Sequence, residues 1–271
     1  MHEGRPYIEM LAREWVVIEE LCSGFAESQW STPTELPAWS VKDVLSHIVG
    51  TEAFLLGRAA EHEIEVPPHV RNPLGELNER EVDFRRPRSG TDVLEEFRTV
   101  TAERLDILRA LRDDELDEIT LTPVGMNSVA FFVGMRLLDC WVHEQDIRRA
   151  VAIPGHLSGD IPQYAYGRLR LGLPKAVAKG AGAPDGSCVV FEVEELEGRA
   201  TTIVGVEGKR GHMLDGAPDA ASARLSMNFE AFVCLTCGRW DAERAAREGS
   251  LRIEGDTNLG ATVAANLNGM L

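Results

Sequence analysis

Pro37-Ala38-Trp39-Ser40-Val41-Lys42-Asp43-Val44-Leu45-Ser46-His47-Ile48 contains a helix start that can be read from residue types alone. Leu36-Pro37 breaks the chain before it. Ser40 is an N-cap residue, and Asp43 stands three positions on, where an acidic side chain can reach back to the cap. Val41, Val44, Leu45, Ile48, Phe54 and Leu55 then recur at helical spacing and face inward, carrying the helix to about Ala60. Outward from this stretch, Ile8 to Glu27 has the same periodicity through Ile8, Leu11, Trp15, Val16, Ile18, Leu21 and Phe25. Residues 62–73 hold three prolines and read as a loop. Thr91 to Leu111 is an amphipathic helix capped by Thr91 or Ser89. Ser128 to Ala152 is another, ended near Pro154-Gly155. Four long helices with intervening loops predict an all-α, antiparallel four-helix bundle over residues 1–155.

After residue 155 the texture changes, and residues 156–271 read as a separate α+β domain. A helix is expected over residues 160–178, then a Gly-, Ala- and Pro-rich turn from Lys179 to Gly186. Strands follow at Ser187–Val193 and Ala200–Val206, joined by an acidic turn around Glu197-Gly198. Further strands are expected at Ala223–Asn228 and Leu251–Glu254. Short helices are expected at Phe229–Cys237, Ala242–Arg247 and Leu259–Leu267. The expected sheet is antiparallel.

The chain has 271 residues, 44% hydrophobic and 27% charged, which is a globular composition. Its net charge of −16 argues against nucleic acid or an anionic membrane as partner, because both repel an acidic chain. No apolar run approaches the roughly 18–20 residues that span a bilayer, and the N-terminus has no signal-peptide pattern. Five irregularly spaced cysteines fit reduced thiols. The reading is of a cytoplasmic protein, and an acidic surface does not by itself identify a substrate.

The chemistry centres on Arg136-Leu-Leu-Asp139-Cys140-Trp-Val-His143-Glu-Gln-Asp146. Asp139 and His143 are four apart, so they share one helix face and can grip one cation. A third ligand must come from another helix, and His47 is the candidate. Two nitrogens and one carboxylate oxygen suit zinc with a fourth position open; iron or nickel accept the same donors. Spacing alone also fits a hydrogen-bonded core histidine and an ordinary surface i,i+4 pair. Asp146, one turn beyond His143, reads as binding substrate or orienting a ligand, or as a solvated acid. Arg239, after Gly238, reads as a catalytic clamp on a substrate carboxylate or as a helix C-cap; Arg252 is a weaker alternative. Cys140 points about 100° away from Asp139 around the helix. Cys234 and Cys237 form C-x-x-C without the strand-to-helix context of a redox motif. Glu52, five residues after His47, is placed on another face.

These residues carry a resemblance. Pro37 to Ile48 and Leu138-Asp139-Cys-Trp-Val142-His143-Glu-Gln-Asp146-Ile147-Arg148 resemble the two metal motifs of the mycothiol-dependent maleylpyruvate isomerase family, within the wider DinB-like group of metal-binding four-helix bundles. Ala223 to Asn228, Phe232-x-x-Leu235-x-x-Gly238-Arg239 and Gly249-x-Leu251-x-Ile253-x-Gly255-Asp256 resemble its C-terminal domain and, more loosely, sterol-carrier-protein-2-like modules. The resemblance implies a zinc or other divalent ion on His47, Asp139 and His143, where relatives often have glutamate in place of the aspartate. It implies mycothiol as thiol cosubstrate, and an isomerase or S-transferase acting on a small electrophile. The competing functions are a small-molecule carrier or sensor with a structural metal, and a zinc-dependent hydrolase.

Overall fold

The apolar stripes become the long helices of the first of two units, Met1–Gly155. The computed structural model describes residues 2, 4–122, 125–196, 198–216 and 220–268. In chain order the first unit contains α1 (Arg5–Cys22), α2 (Glu27–Trp30), α3 (Val41–Leu55), α4 (Pro73–Arg85), α5 (Gly90–Ala110), α6 (Asp113–Leu116), the antiparallel strands β1 (Ile119–Thr122) and β2 (Gly125–Ser128), and α7 (Val129–Ala150). α1 packs against α5 and α7, and α3 packs against the same two, which closes a ring of four helices. Leu11, Trp15, Ile18, Val44, Leu45, Ile48, Phe97, Leu137 and Trp141 are buried within it. Each such side chain contributes about 1.5–3 kcal/mol on burial. Two residues expected inside are not: Val16 is 52% exposed and Phe54 37%. Each lies one position off the buried stripe of its helix.

The caps follow the sequence closely. The Ser40 hydroxyl accepts from the Asp43 N–H, and the Asp43 carboxylate accepts from the Ser40 N–H at 2.8 Å. Ser89, rather than Thr91, caps α5 with the same reciprocal pattern through Asp92. Ser128 caps α7.

The sequence reading has no counterpart for α4, because this helix is rich in charge and buries some of it. Glu79, Glu81 and Arg85 are each 1–2% exposed. Arg85 donates to Glu81 at 2.8 Å and to both oxygens of Glu96 at 2.8 and 3.1 Å, while Glu81 also accepts from the Ala60 N–H. α4 packs on α3, close to Gly50: a Cβ there would stand 2.4 Å from the Glu81 Cβ. A buried pair of this kind is costly to break from one side. Arg85→Ala is therefore expected to lower unfolding stability by about 3–5 kcal/mol, read from urea denaturation. A loss below about 1 kcal/mol would mean that water reaches Glu81 and Glu96 in the variant.

The second unit, His156–Leu271, contains α8 (Asp160–Leu169), α9 (Leu173–Lys175), β3 (Cys188–Glu194), β4 (Arg199–Glu207), β5 (Arg210–Leu214), β6 (Ala223–Asn228), α10 (Phe229–Thr236), α11 (Ala242–Arg247), β7 (Leu251–Gly255) and α12 (Thr257–Ala265). The single helix expected over 160–178 is instead α8, a 3-10 turn, α9 and a π turn. Gly172 and Pro174 sit at the breaks, where neither favours continued α-helix. The strands form one sheet of order β5-β4-β3-β6-β7. β3 and β6 pair in parallel, which corrects the expected all-antiparallel sheet; the remaining pairs are antiparallel. Glu197, in the expected turn between β3 and β4, lies outside the described residues. Phe191, Val193, Leu225, Phe229 and Phe232 are buried in this unit's core. Among the described residues no helix is long and apolar enough to cross a membrane.

Candidate metal centre

His47 on α3 and the Asp139/His143 pair on α7 meet inside the bundle. The His47 Nε2 lies 3.3 Å from Asp139 Oδ2, and the His143 Nε2 lies 3.6 Å from Asp139 Oδ1. One ligand atom from each of the three residues falls within 4.8 Å of the others. A tetrahedral ion with bonds near 2.1 Å separates its ligands by about 3.4 Å; each imidazole comes that near a different oxygen of Asp139, and the three residues lie close enough to share one ion after small side-chain shifts. Both imidazole side chains are 6–8% exposed, whereas the Asp139 side chain is 33% exposed. The cluster is thus enclosed on the histidine side and open on the carboxylate side.

Electrostatics favours an uncharged His47 ring, which donates from Nε2 to Asp139 at 3.3 Å, and an ionised Asp139. Burial pushes the His47 pKa down, against the pull of Asp139, so its ring is held neutral. Burial would raise the Asp139 pKa, but the Arg136 guanidinium and both histidines outweigh it and hold the carboxyl well below its usual range. His143 Nδ1 lies 3.0 Å from Asp146 Oδ2. A carboxylate only accepts, so Nδ1 carries the proton and Nε2 presents its lone pair toward Asp139. The Nδ1 of His47 has no partner among the described residues; Nε2 is its ring atom that meets a polar group.

Arg136 and Glu52 complete the arrangement, and sequence spacing missed both roles. Arg136, three residues before Asp139, donates through Nη1 to Asp139 Oδ2 and through Nε to Glu52 at 2.8 Å. Glu52 is 1% exposed and also accepts from Arg104 at 3.1 Å. Excluding Glu52 from the ligands is consistent with this, yet it anchors the arginine that holds one of them. The i,i+3 spacing of Arg136 and Asp139 was the available signal. Trp39 was missed as well: its ring centre stands 5.4 Å from His47 and 6.3 Å from His143.

Asp146 has a side chain that is 0% exposed, with its two oxygens facing His143 and Arg149. This rules out the solvated surface acid, and it suits the expected alternative of orienting a ligand, here the His143 ring, better than direct contact with a substrate. Cys140 is fully buried, with its sulfur 3.7 Å from Arg136 Nη2, and burial pushes its thiol pKa far up. It supplies packing rather than a thiolate. In the second unit, the half-buried Arg239 donates to the Cys237 carbonyl at 2.7 Å, at the C-terminal end of α10. Arg252 is exposed on β7 and pairs with Glu254. Cys234 is buried and Cys237 half-buried, and neither is in a disulfide.

Residues 11–148, just over half of the chain, match the mycothiol maleylpyruvate isomerase N-terminal domain. The chain belongs to that family. Residues 173–268 match the SCP-2 sterol transfer family. A crystal structure of the mycothiol-dependent maleylpyruvate isomerase is 19% identical, with a TM-score of 0.56 over 88% of this chain and 90% of that one. The structure of an alanine-for-histidine variant of that enzyme is 17% identical, with a TM-score of 0.57 over 93% and 92%. At such identities the likeness is one of fold. No curated protein sequence matches the chain.

Within a member of the mycothiol maleylpyruvate isomerase family, the donor set can be judged on its own chemistry. A neutral buried imidazole, a second imidazole with its tautomer fixed, and an ionised half-exposed carboxylate fit a divalent ion such as zinc. Asp146→Ala is expected to weaken zinc binding about 10–100-fold, because it frees the His143 ring and its tautomer. Competition with a chelator of known affinity measures this. Unchanged affinity would reduce Asp146 to a partner of Arg149.

Proposed function

We propose that this protein is a metal- and mycothiol-dependent isomerase or S-transferase acting on a small electrophilic substrate, of the maleylpyruvate isomerase kind. One observation carries the reading: two imidazole Nε2 atoms from different helices converge on an ionised carboxylate whose side chain is one-third exposed. When bound to His47, Asp139 and His143, a divalent cation would favour the thiolate form of a thiol reaching it. Arg136, backed by Glu52, keeps Asp139 ionised and fixed. Asp146 keeps the proton of His143 on Nδ1. Cys140 is buried and keeps its own proton, so it does not serve as the nucleophile, and the reading gives that part to mycothiol. In the isomerisation the thiolate adds to a cis conjugated double bond, the resulting single bond rotates, and elimination returns the trans alkene and the thiolate. Metal analysis and a turnover assay with and without mycothiol, on one preparation, test the proposal.

The clamp on a substrate carboxylate is assigned to Arg239. Its fork can hold a carboxylate through two N–H groups, although one N–H already meets the Cys237 carbonyl. Arg239→Ala is expected to raise KM about tenfold with a change in Tm of only a few degrees. A variant with unchanged KM and a lowered Tm would leave Arg239 as a cap of α10.

A further inference from the structure

The Trp39 indole packs against both candidate ligand rings, and nothing in the proposed chemistry uses it. Its plane is tilted 35° from His47 and 40° from His143, while the two imidazoles stand 4.8 Å apart at 71°. The indole is also tied at its outer edge. Its Nε1 donates to Glu79 Oε2 at 2.9 Å, and Glu79 is 2% exposed. Glu79 is held in turn by Arg86 at 2.6 Å, with His69 at 3.7 Å. The backbone is fixed as tightly. Ala38 takes a left-handed φ of 63°, a conformation that costs a residue with a Cβ and persists where its surroundings impose it. The Trp39 carbonyl accepts from both the N–H and the hydroxyl of Thr34, at 2.9 and 2.8 Å. A turn with left-handed Ala38 and a buried carboxylate on α4 therefore aim one aromatic ring at two imidazoles on α3 and α7.

We infer that Trp39 is a positioning residue for the metal centre: tethered by Glu79, it blocks rotation of the His47 and His143 rings and keeps both Nε2 atoms directed at Asp139. The inference rests on the metal-centre reading. It gives α4 a role at the site although α4 supplies none of the three candidate ligands. His47 depends on it most, since His143 is already held by Asp146 and His47 Nδ1 has no partner among the described residues.

The test is a cobalt(II) titration of wild type, Trp39→Phe and Trp39→Leu, followed by visible absorption, with the Tm of each metal-free protein measured in parallel. Both substitutions keep apolar bulk, and Phe also keeps a flat ring. Trp39→Leu is expected to bind cobalt about 10–100-fold more weakly, the range for loss of a group that orients ligands. Trp39→Phe, which keeps a flat ring but loses the N–H tethered to Glu79, should fall between Trp39→Leu and wild type. Equal affinity for wild type and Trp39→Leu overturns the inference while leaving the metal centre standing, as does a fall in Tm with unchanged affinity. A wild-type protein that takes up no cobalt overturns the metal-centre reading itself, and the inference with it.

Discussion

His143→Ala is expected to leave a folded protein without its metal. Wild type should carry about one ion per chain, and the variant only traces. The reasoning starts from ligand count. With three protein ligands, losing one leaves His47 and Asp139, and Asp139 remains engaged by Arg136. The loss in affinity should exceed the 10–100-fold typical of removing an orienting partner, and thiol-dependent turnover should fall with it. The fold should persist, because the substitution leaves buried core residues of α3 and α7 such as Leu45, Ile48, Leu137 and Trp141 untouched, and Asp146 keeps Arg149. The stability cost is put at roughly 1–3 kcal/mol, that of one lost buried hydrogen-bond partner. Elemental analysis with circular dichroism measures both halves. A variant that is unfolded would make the metal structural and favour a carrier over an enzyme.

Turnover of a cis-configured conjugated keto acid is expected only when mycothiol is added. Buried Cys140, the cysteine adjacent to Asp139 in sequence, holds its proton firmly. Cys22 is likewise buried, and burial pushes its thiol pKa up too. The unit that carries the candidate centre has no other cysteine, so it offers no ready thiolate of its own. The competing chemistry is hydrolysis, which requires no thiol; zinc's preference for sulfur donors favours the thiol where it is abundant. Equal rates with and without mycothiol would refute the thiol mechanism and leave the metal site intact. Thiol dependence that survives chelation, or His47→Ala, would separate the thiol from the metal.

The long helices were legible because their evidence is local. Ser40 with Asp43, and Ser128 ahead of an apolar run, state where α3 and α7 begin, and the 3.6-residue stripe states which way they face. The shared face of Asp139 and His143 was legible from their spacing on one helix; that His47 would meet them was suggested by its place at the edge of the inward face of α3 and by the family resemblance, while spacing alone left other roles open. What could not be read depends on partners distant in sequence. α4 hides its buried face behind Glu79, Glu81 and Arg85, residues that read as solvent-facing until Arg86, Glu96 and Trp39 are brought to them. Glu52 looked misplaced beside His47 because its partner Arg136 lies 84 residues away. β5 is short and contains a glycine and a histidine, so its strand character comes from pairing with β4 rather than from its own composition. The parallel β3–β6 pair is a matter of topology, which alternation within a strand does not encode.

The seam between α3 and α4 has a consequence for which mutations the chain can absorb. In an ordinary core, polarity-preserving swaps are the damaging ones when they alter volume, and a methyl group more or less is felt at once. Along this seam the usual ranking is reversed. Glu81→Gln preserves shape and Arg85→Lys preserves charge, yet each alters a buried pair or fork. Replacing charged partners together by apolar side chains of equal size would be tolerated far better than either gentle single change. Sequences drifting under selection should therefore change these positions in concert or not at all, and a variant chosen for chemical similarity at one of them is a poor choice of neutral control.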